Sequence, residues 1–204
     1  MTAPQHDSKT RFLHAALELI RTRGYASTTV DDLCNAAQLT KGSFFHHFKS
    51  KDELALAAAD HFGRMAENLF ANAPYHGLAD PLARVLGYVD FRRSLLRGDL
   101  PAITCLFGTL VQETYATHPA IREACDQHMS AHAAGLVDDI ADARRRYAPH
   151  ARWSAESVAM FTQATLQGAF ILAKARQDTG VADEALAHLR RYLLLLFNQS
   201  KPKE

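Results

Sequence analysis

The sequence predicts an all-α fold of about nine helices. Three observations carry that reading. Alternating β-branched runs and Asn-Gly or Asp-Gly turns between apolar stretches are missing. Apolar side chains instead recur three and four residues apart along most of the chain. Proline, glycine and capping residues fall between those periodic stretches, where helix ends belong.

A first helix is expected from an N-cap at Asp7 or Ser8 to Arg23, with Phe12, Leu13, Ala16, Leu17 and Ile20 as its apolar stripe and Gly24 as its stop. A short second helix begins at Thr28 or Thr29 and carries Val30, Leu33, Cys34 and Ala37 inward. After a turn at Gln38 and Leu39, Thr40 caps a third, whose Phe44 and Phe48 share one side. Ser50 and Glu53 form a capping box, each satisfying the other's N–H, for a fourth helix reaching about Ala73. Asp80-Pro81 opens a fifth, to about Leu96. The remaining four are expected near 102–115, 119–146, 154–179 and 181–197, with SKPKE as a frayed tail.

Composition bounds what such a chain does. At 204 residues and 48% hydrophobic it can bury a core in one large or two modest domains. Three cysteines, without a CxxC pair, argue against a disulfide framework and for a reducing cytoplasm. The N-terminal MTAPQHDSK is polar, and the longest apolar run, Leu193 to Phe197, is too short to span a bilayer, so no membrane partner is expected. A net charge of +1 supplies no global field, so an anionic partner must be met by a local surface.

The second and third helices supply one. Two short helices joined by a tight turn let the second lie in a DNA major groove. With Phe44 and Phe48 inward, Thr40, Lys41, Ser43, Phe45, His46 and His47 lie on or beside the open face. Lysine, hydroxyl and imidazole groups meet phosphates or base edges. Gly42 permits close backbone approach, Lys49 and Lys51 flank the helix, and Thr28 and Thr29 start the second helix with free N–H groups for another phosphate.

The segment TTVDDLCNAAQLTKGSFFHHFKSKDEL resembles the helix-turn-helix of TetR-type transcriptional repressors, and the likeness runs from Lys9 to about Phe62. It includes the Gly24-Tyr25 turn and the stretch from Lys41-Gly42 to Lys51. The resemblance implies a homodimer whose paired recognition helices read a palindromic operator, with a variable C-terminal domain holding a small-molecule effector. It places DNA contacts at Thr29, Thr40, Lys41, Gly42, Ser43, Phe45, His46, His47 and Lys51. Many members carry tyrosines where this chain has Phe45 and His46, so a phenolic hydroxyl to phosphate is replaced by apolar contact, for instance with a thymine methyl. The expected division is 1–50 for DNA binding and 51–204 for effector binding and dimerisation.

Looser likeness continues through CLFGTLVQETYATHPAIREACDQH and LQGAFILAKARQDTG. The last two helices resemble the family's dimer interface, a four-helix bundle, through Phe161, Gly168, Ala169, Leu172, Ala175, Leu189, Tyr192, Leu193 and Leu196. The competing reading is monomer core. An effector pocket is expected among Phe62, Met65, Tyr88, Phe91, Cys105, Phe107, Met129 and Phe161, with Thr109, Gln112 and Gln163 as polar handles.

Two other chemistries are open. Cys125, His128 and His132 share a helix face at metal-ligand spacing but lack a fourth ligand, so no metal is assigned. Cys105 opens a helix, where the N-terminal partial charge favours a reactive thiol, against the simpler reading of a buried cysteine. GxSxG, P-loop, GxGxxG and HExxH motifs are missing, so neither an enzyme nor a cofactor is expected. The function expected is a transcriptional repressor. The alternatives are a helical ligand-binding or protein-interaction module that has lost DNA binding, and a thiol- or metal-responsive regulator.

Overall fold

The computed structural model describes residues 5–198, with side chains from 8 to 197. Among them no strand occurs, and the helices are α1 (Gln5–Arg23), α2 (Val30–Ala37), α3 (Lys41–His47), α4 (Lys51–Ala71), α5 (Pro81–Ser94), α6 (Leu100–Ile103), α7 (Leu106–Thr114), α8 (Pro119–Ala134), α9 (Val137–Tyr147), α10 (Ala155–Arg176) and α11 (Gly180–Asn198). Two compact units result. Of the described residues, the first comprises 5–67 and 104–128, the second 68–103 and 129–198. This division by compactness does not coincide with the functional division expected at residue 50.

In the first unit the phenylalanine spacing does what a helical period requires. Phe12 of α1, Phe44 of α3 and Phe48 are each buried, with the Phe12 and Phe44 rings edge-on at 5.4 Å. Leu33, Cys34 and Ala37 bring α2 onto the same core, and Leu54, Ala55, Ala58 and Ala59 bring α4. Leu106 and Leu110 of α7 are also fully buried there. In the second unit, Tyr88 and Val89 of α5, Ile140 of α9, Leu166 and Ala169 of α10, and Leu186, Leu189 and Leu193 of α11 form the core. Trp153 closes one end edge-on against Phe197, 5.2 Å away.

Local capping follows the residues that predict it. Thr29, Thr40, Asp80 and Ser154 each accept the N–H three residues on. Several expectations differ from the structure. The first helix starts at Gln5, ahead of the proposed cap; Ser8 lies inside it, and the side chain of Asp7 is outside the described residues. The SKPKE tail is likewise outside them. Glu53 accepts from the N–H of Lys49 rather than of Ser50, while Ser50 accepts from Glu53 as expected. The helix expected over 102–115 is broken by Cys105, which is extended at φ −81°, ψ 127° and occupies the N-cap position of α7 without a side-chain capping bond. The one over 119–146 breaks at Gly135 and Leu136, where Leu136 N–H turns back to Ala133 and helix-weakening glycine sits at the joint. The tenth helix ends at Gln177 in the left-handed region, φ 53°, rather than at Gly180, which begins α11 and donates its N–H to Asp178.

Candidate nucleic-acid interface

The α2–α3 corner is built by reciprocal caps. Thr29 accepts the Asp32 N–H while the Asp32 carboxylate accepts the Thr29 N–H at 2.9 Å. Arg23 pairs with that carboxylate at 3.0 Å, which adds to the two threonine bonds in holding its pKa below the usual range. Gln38 then takes a left-handed conformation, φ 53°, and Leu39 N–H returns to Cys34, so α3 starts at once under its Thr40 cap.

Phe44 and Phe48 fix the inner side of α3, leaving Lys41, Gly42, Phe45 and His46 exposed and Ser43 half-exposed. Phe45 is 57% exposed, a large apolar side chain whose ring stands edge-on to that of Phe44 at 5.2 Å. Lys41 is paired at 2.7 Å with Asp31, whose carboxylate raises the lysine pKa. That acidic neighbour offsets part of the positive charge this face offers.

Three expected contacts are placed otherwise. Thr28 is buried at 1% exposure and its hydroxyl donates to the Gly24 carbonyl, so its role is to close the turn behind the helix. His47 is half-buried, bonded through Nε2 to Ser8 Oγ at 2.7 Å and edge-on to Phe12. Burial first, then His46 and Lys9, push its pKa down. Lys51 folds back over the Tyr25 ring, 4.1 Å from its centroid, and donates to the Tyr25 carbonyl. Each is a partner supplied by α1 or the turn after it, which the period of α3 alone does not reveal. Lys49 is exposed. Two α1 cations absent from the sequence-based set come beside this face: exposed Lys9, its ammonium over the Phe48 ring, and Arg11, donating to the Gln38 carbonyl. Their signal is spacing, since Ser8 and Phe12 lie one turn apart and both reach α3.

Behind the corner, α7 braces the turn that follows α1. Glu113 accepts the N–H groups of Tyr25 and Ala26 at 3.1 and 2.8 Å, one on each carboxylate oxygen. Tyr25 donates its hydroxyl to Asp52, and burial plus this bond push its pKa well up. His118 stands edge-on to the Tyr25 ring at 5.4 Å.

The residues expected to hold an effector fall in both units. In the first, Phe107 is buried and Phe62 half-buried with their rings 5.1 Å apart, Cys105 is half-exposed, Met65 is exposed, and Thr109 and Gln112 donate to the Cys105 and Gly108 carbonyls. In the second, Tyr88 is buried, Phe91 and Met129 are half-buried, and Phe161 is exposed. Gln163 is buried with Oε1 lacking a partner. A small cleft in the second unit is lined by Arg84, Val85, Tyr88, Leu136, Asp139, Ile140, Thr162 and Leu193, of which Tyr88 alone was expected.

The helical face bearing Cys125, His128 and His132 does not converge on a metal. Cys125 is fully buried and pushed up to about 12 by burial. His128 pairs with Asp60 at 3.2 Å and stacks on Phe107, while His132 bonds Tyr88 and Arg92. Among the described residues no three such side chains form a metal-binding group.

On α10 and α11 the expected interface residues divide. Ala169, Leu189 and Leu193 are buried in the core of the second unit. Phe161, Leu172 and Tyr192 are exposed, as is Ala175; Gly168 faces open space and Leu196 is half-exposed. Met160, Ile171 and Leu195, also exposed, extend this apolar surface. No helix among the described residues is long and apolar enough to cross a membrane.

The sequence profile described as "Bacterial regulatory proteins, tetR family" matches residues 12–58, and that described as "Tetracyclin repressor-like, C-terminal domain" matches 81–189. The transcriptional regulator AcuR of Cereibacter sphaeroides is 32% identical over 118 residues, which span 55% of this chain and about half, 51%, of that protein's length. An uncharacterized HTH-type transcriptional regulator from the lacX 3' region of Lactococcus lactis is 24% identical over 177 residues, 87% of this chain and 88% of that one. A TetR transcriptional regulator from Chloroflexus aurantiacus superposes with a TM-score of 0.81 at 25% identity, over 93% of this chain and 96% of its own. Each of these relatives is described as a transcriptional regulator. With both of its halves matched and the helix-turn-helix complete from cap to cap, the chain belongs to the TetR family of DNA-binding transcriptional regulators.

Proposed function

We propose that the protein is a homodimeric repressor that holds a palindromic operator with two copies of α3 and releases it when a small molecule binds its C-terminal region. The observation that carries this reading is the open face of α3. Lys41, Phe45 and His46 are exposed while Phe44 and Phe48 anchor the helix from behind. Lys41 and Lys49 serve phosphates, Ser43 and the cap residues Thr29 and Thr40 position the backbone, Gly42 allows close approach, and Phe45 and His46 read base edges. Affinity then rests on a few local cations, so salt weakens binding in proportion to the phosphates they neutralise.

Two-fold symmetry in the operator requires a two-fold protein. The exposed side chains of α10 and α11, Phe161, Leu172 and Tyr192 with Gly168, Ala175 and Leu196, supply a self-complementary apolar face. Residues 1–50 form the DNA-binding part and 51–204 the sensing and dimerising part, joined by α4. An effector that prefers one setting of α4 shifts the population away from the DNA-competent form by its differential affinity for the two.

Selection of DNA from a random pool by the full chain tests this. A palindromic site should emerge, bound more weakly by Lys41→Ala and His46→Ala proteins whose sedimentation is unchanged. Recovery of no specific sequence by the intact protein would overturn the reading.

A further inference from the structure

Three arginines of α5 can be compared. Arg84 pairs with Asp139 and Arg93 with Asp183, but no carboxylate among the described residues pairs with Arg92. Its half-buried guanidinium is held by neutral groups instead. Nε donates to Tyr88 Oη at 3.1 Å, and Nη2 lies 3.1 Å from His132 Nε2. Because a guanidinium only donates, His132 Nε2 is the acceptor, and its single lone pair is shared between Arg92 Nη2 and the Tyr88 hydroxyl, 2.9 Å away. The three side chains thus close a ring that keeps His132 neutral, its pKa pushed down to about 3 by burial and by Arg92. The cation lies 4.3 Å from the centroid of Phe70, and Phe70 meets Phe91 edge-on at 5.5 Å. Among the described residues no bond to Nη1 is found, so one edge of the fork is unused.

A half-buried cation held only by neutral groups keeps its charge available to an anion on its unused side. The unused edge of a planar fork matches a carboxylate. Aromatic walls favour a flat apolar body, and a single unused edge takes a single carboxylate.

We propose that Arg92, locked by Tyr88 and His132 and walled by Phe70 and Phe91, anchors an organic monocarboxylate with a flat apolar body. The assignment rests on the reading that this part of the chain senses a small molecule, and it names the chemical class sensed.

The test uses the full chain at neutral pH with benzoate, cinnamate and butyrate, benzamide as the neutral counterpart, and inorganic phosphate as a plain anion. Thermal stabilisation and release of the selected DNA are both read. At least one carboxylate should bind, with benzamide and phosphate inert. Arg92→Gln should weaken binding tenfold or more and Arg92→Lys by less. Tyr88→Phe, which keeps the ring and frees the fork, should weaken it severalfold and serves if the glutamine variant does not fold. Failure of every carboxylate to bind, equal binding of benzamide or phosphate, or undiminished binding in the variants would each overturn the site. Carboxylate binding through Arg92 that leaves the DNA complex intact upholds the site and removes the effector reading, whereas release by a neutral compound alone does the reverse.

Discussion

Acidification from about pH 7 to about pH 5 should cost the protein roughly 2 kcal/mol of stability through His132 alone. The imidazole is buried beside Arg92, and its pKa falls from 6.5 to about 3. A base with a depressed folded pKa is protonated first in the unfolded chain. Unfolding therefore takes up a proton in the window between 6.5 and about 3, and stability drops as pH falls through it. From the upper edge of that window to pH 5 is about 1.5 pH units, at ~1.36 kcal/mol each. Urea unfolding at the two pH values, for wild type and His132→Asn, isolates the effect. Asparagine can still accept from Arg92 but does not titrate, and the other histidines contribute equally to both proteins. Wild type should lose about 2 kcal/mol more than the variant. An equal loss in the two would refute the coupling between burial and proton uptake.

The remaining predictions concern the brace, the DNA face and the helix pair. Glu113→Ala leaves the N–H groups of Tyr25 and Ala26 without their acceptor; it should cost about 1–3 kcal/mol, with faster amide exchange at both residues. Gly24→Ala should destabilise by about 1 kcal/mol or more in thermal unfolding, since alanine is strained at this φ of +92° and its Cβ would collide with Glu113 Oε1. Asp31→Asn frees Lys41 from its ion pair and should strengthen DNA binding severalfold at low salt, whereas Lys41→Ala should lower the salt slope by about one, both measured by titrating labelled DNA. Leu172→Glu should shift sedimentation toward monomer with the fold intact, while Leu193→Ala should lower stability by about 2–5 kcal/mol.

Helix existence was legible because its signals are local. Thr29, Thr40, Asp80 and Ser154 cap the helices they precede, and the phenylalanines of α3 turn inward as their spacing requires. The stop at Gln177 was not legible, because glutamine carries no preference for the left-handed region and Gly180 offered a stronger false signal. The same limit governs the DNA face. Periodicity places Lys41, Phe45 and His46 outward, yet it cannot show that Ser8 holds His47 or that the Tyr25 carbonyl and ring hold Lys51. On α11, a helix apolar nearly all round, composition left open which leucines face inward; Leu189 and Leu193 do, and Leu195 does not.

The Glu113 brace has a consequence for synthesis. The turn it completes lies 88 residues upstream of the carboxylate. A nascent chain therefore exposes its three N-terminal helices long before α7 emerges, and until then water must solvate the N–H groups of Tyr25 and Ala26. The helix-turn-helix should gain its full rigidity late in translation, and a product truncated before residue 104 should carry the recognition residues on an unbraced corner.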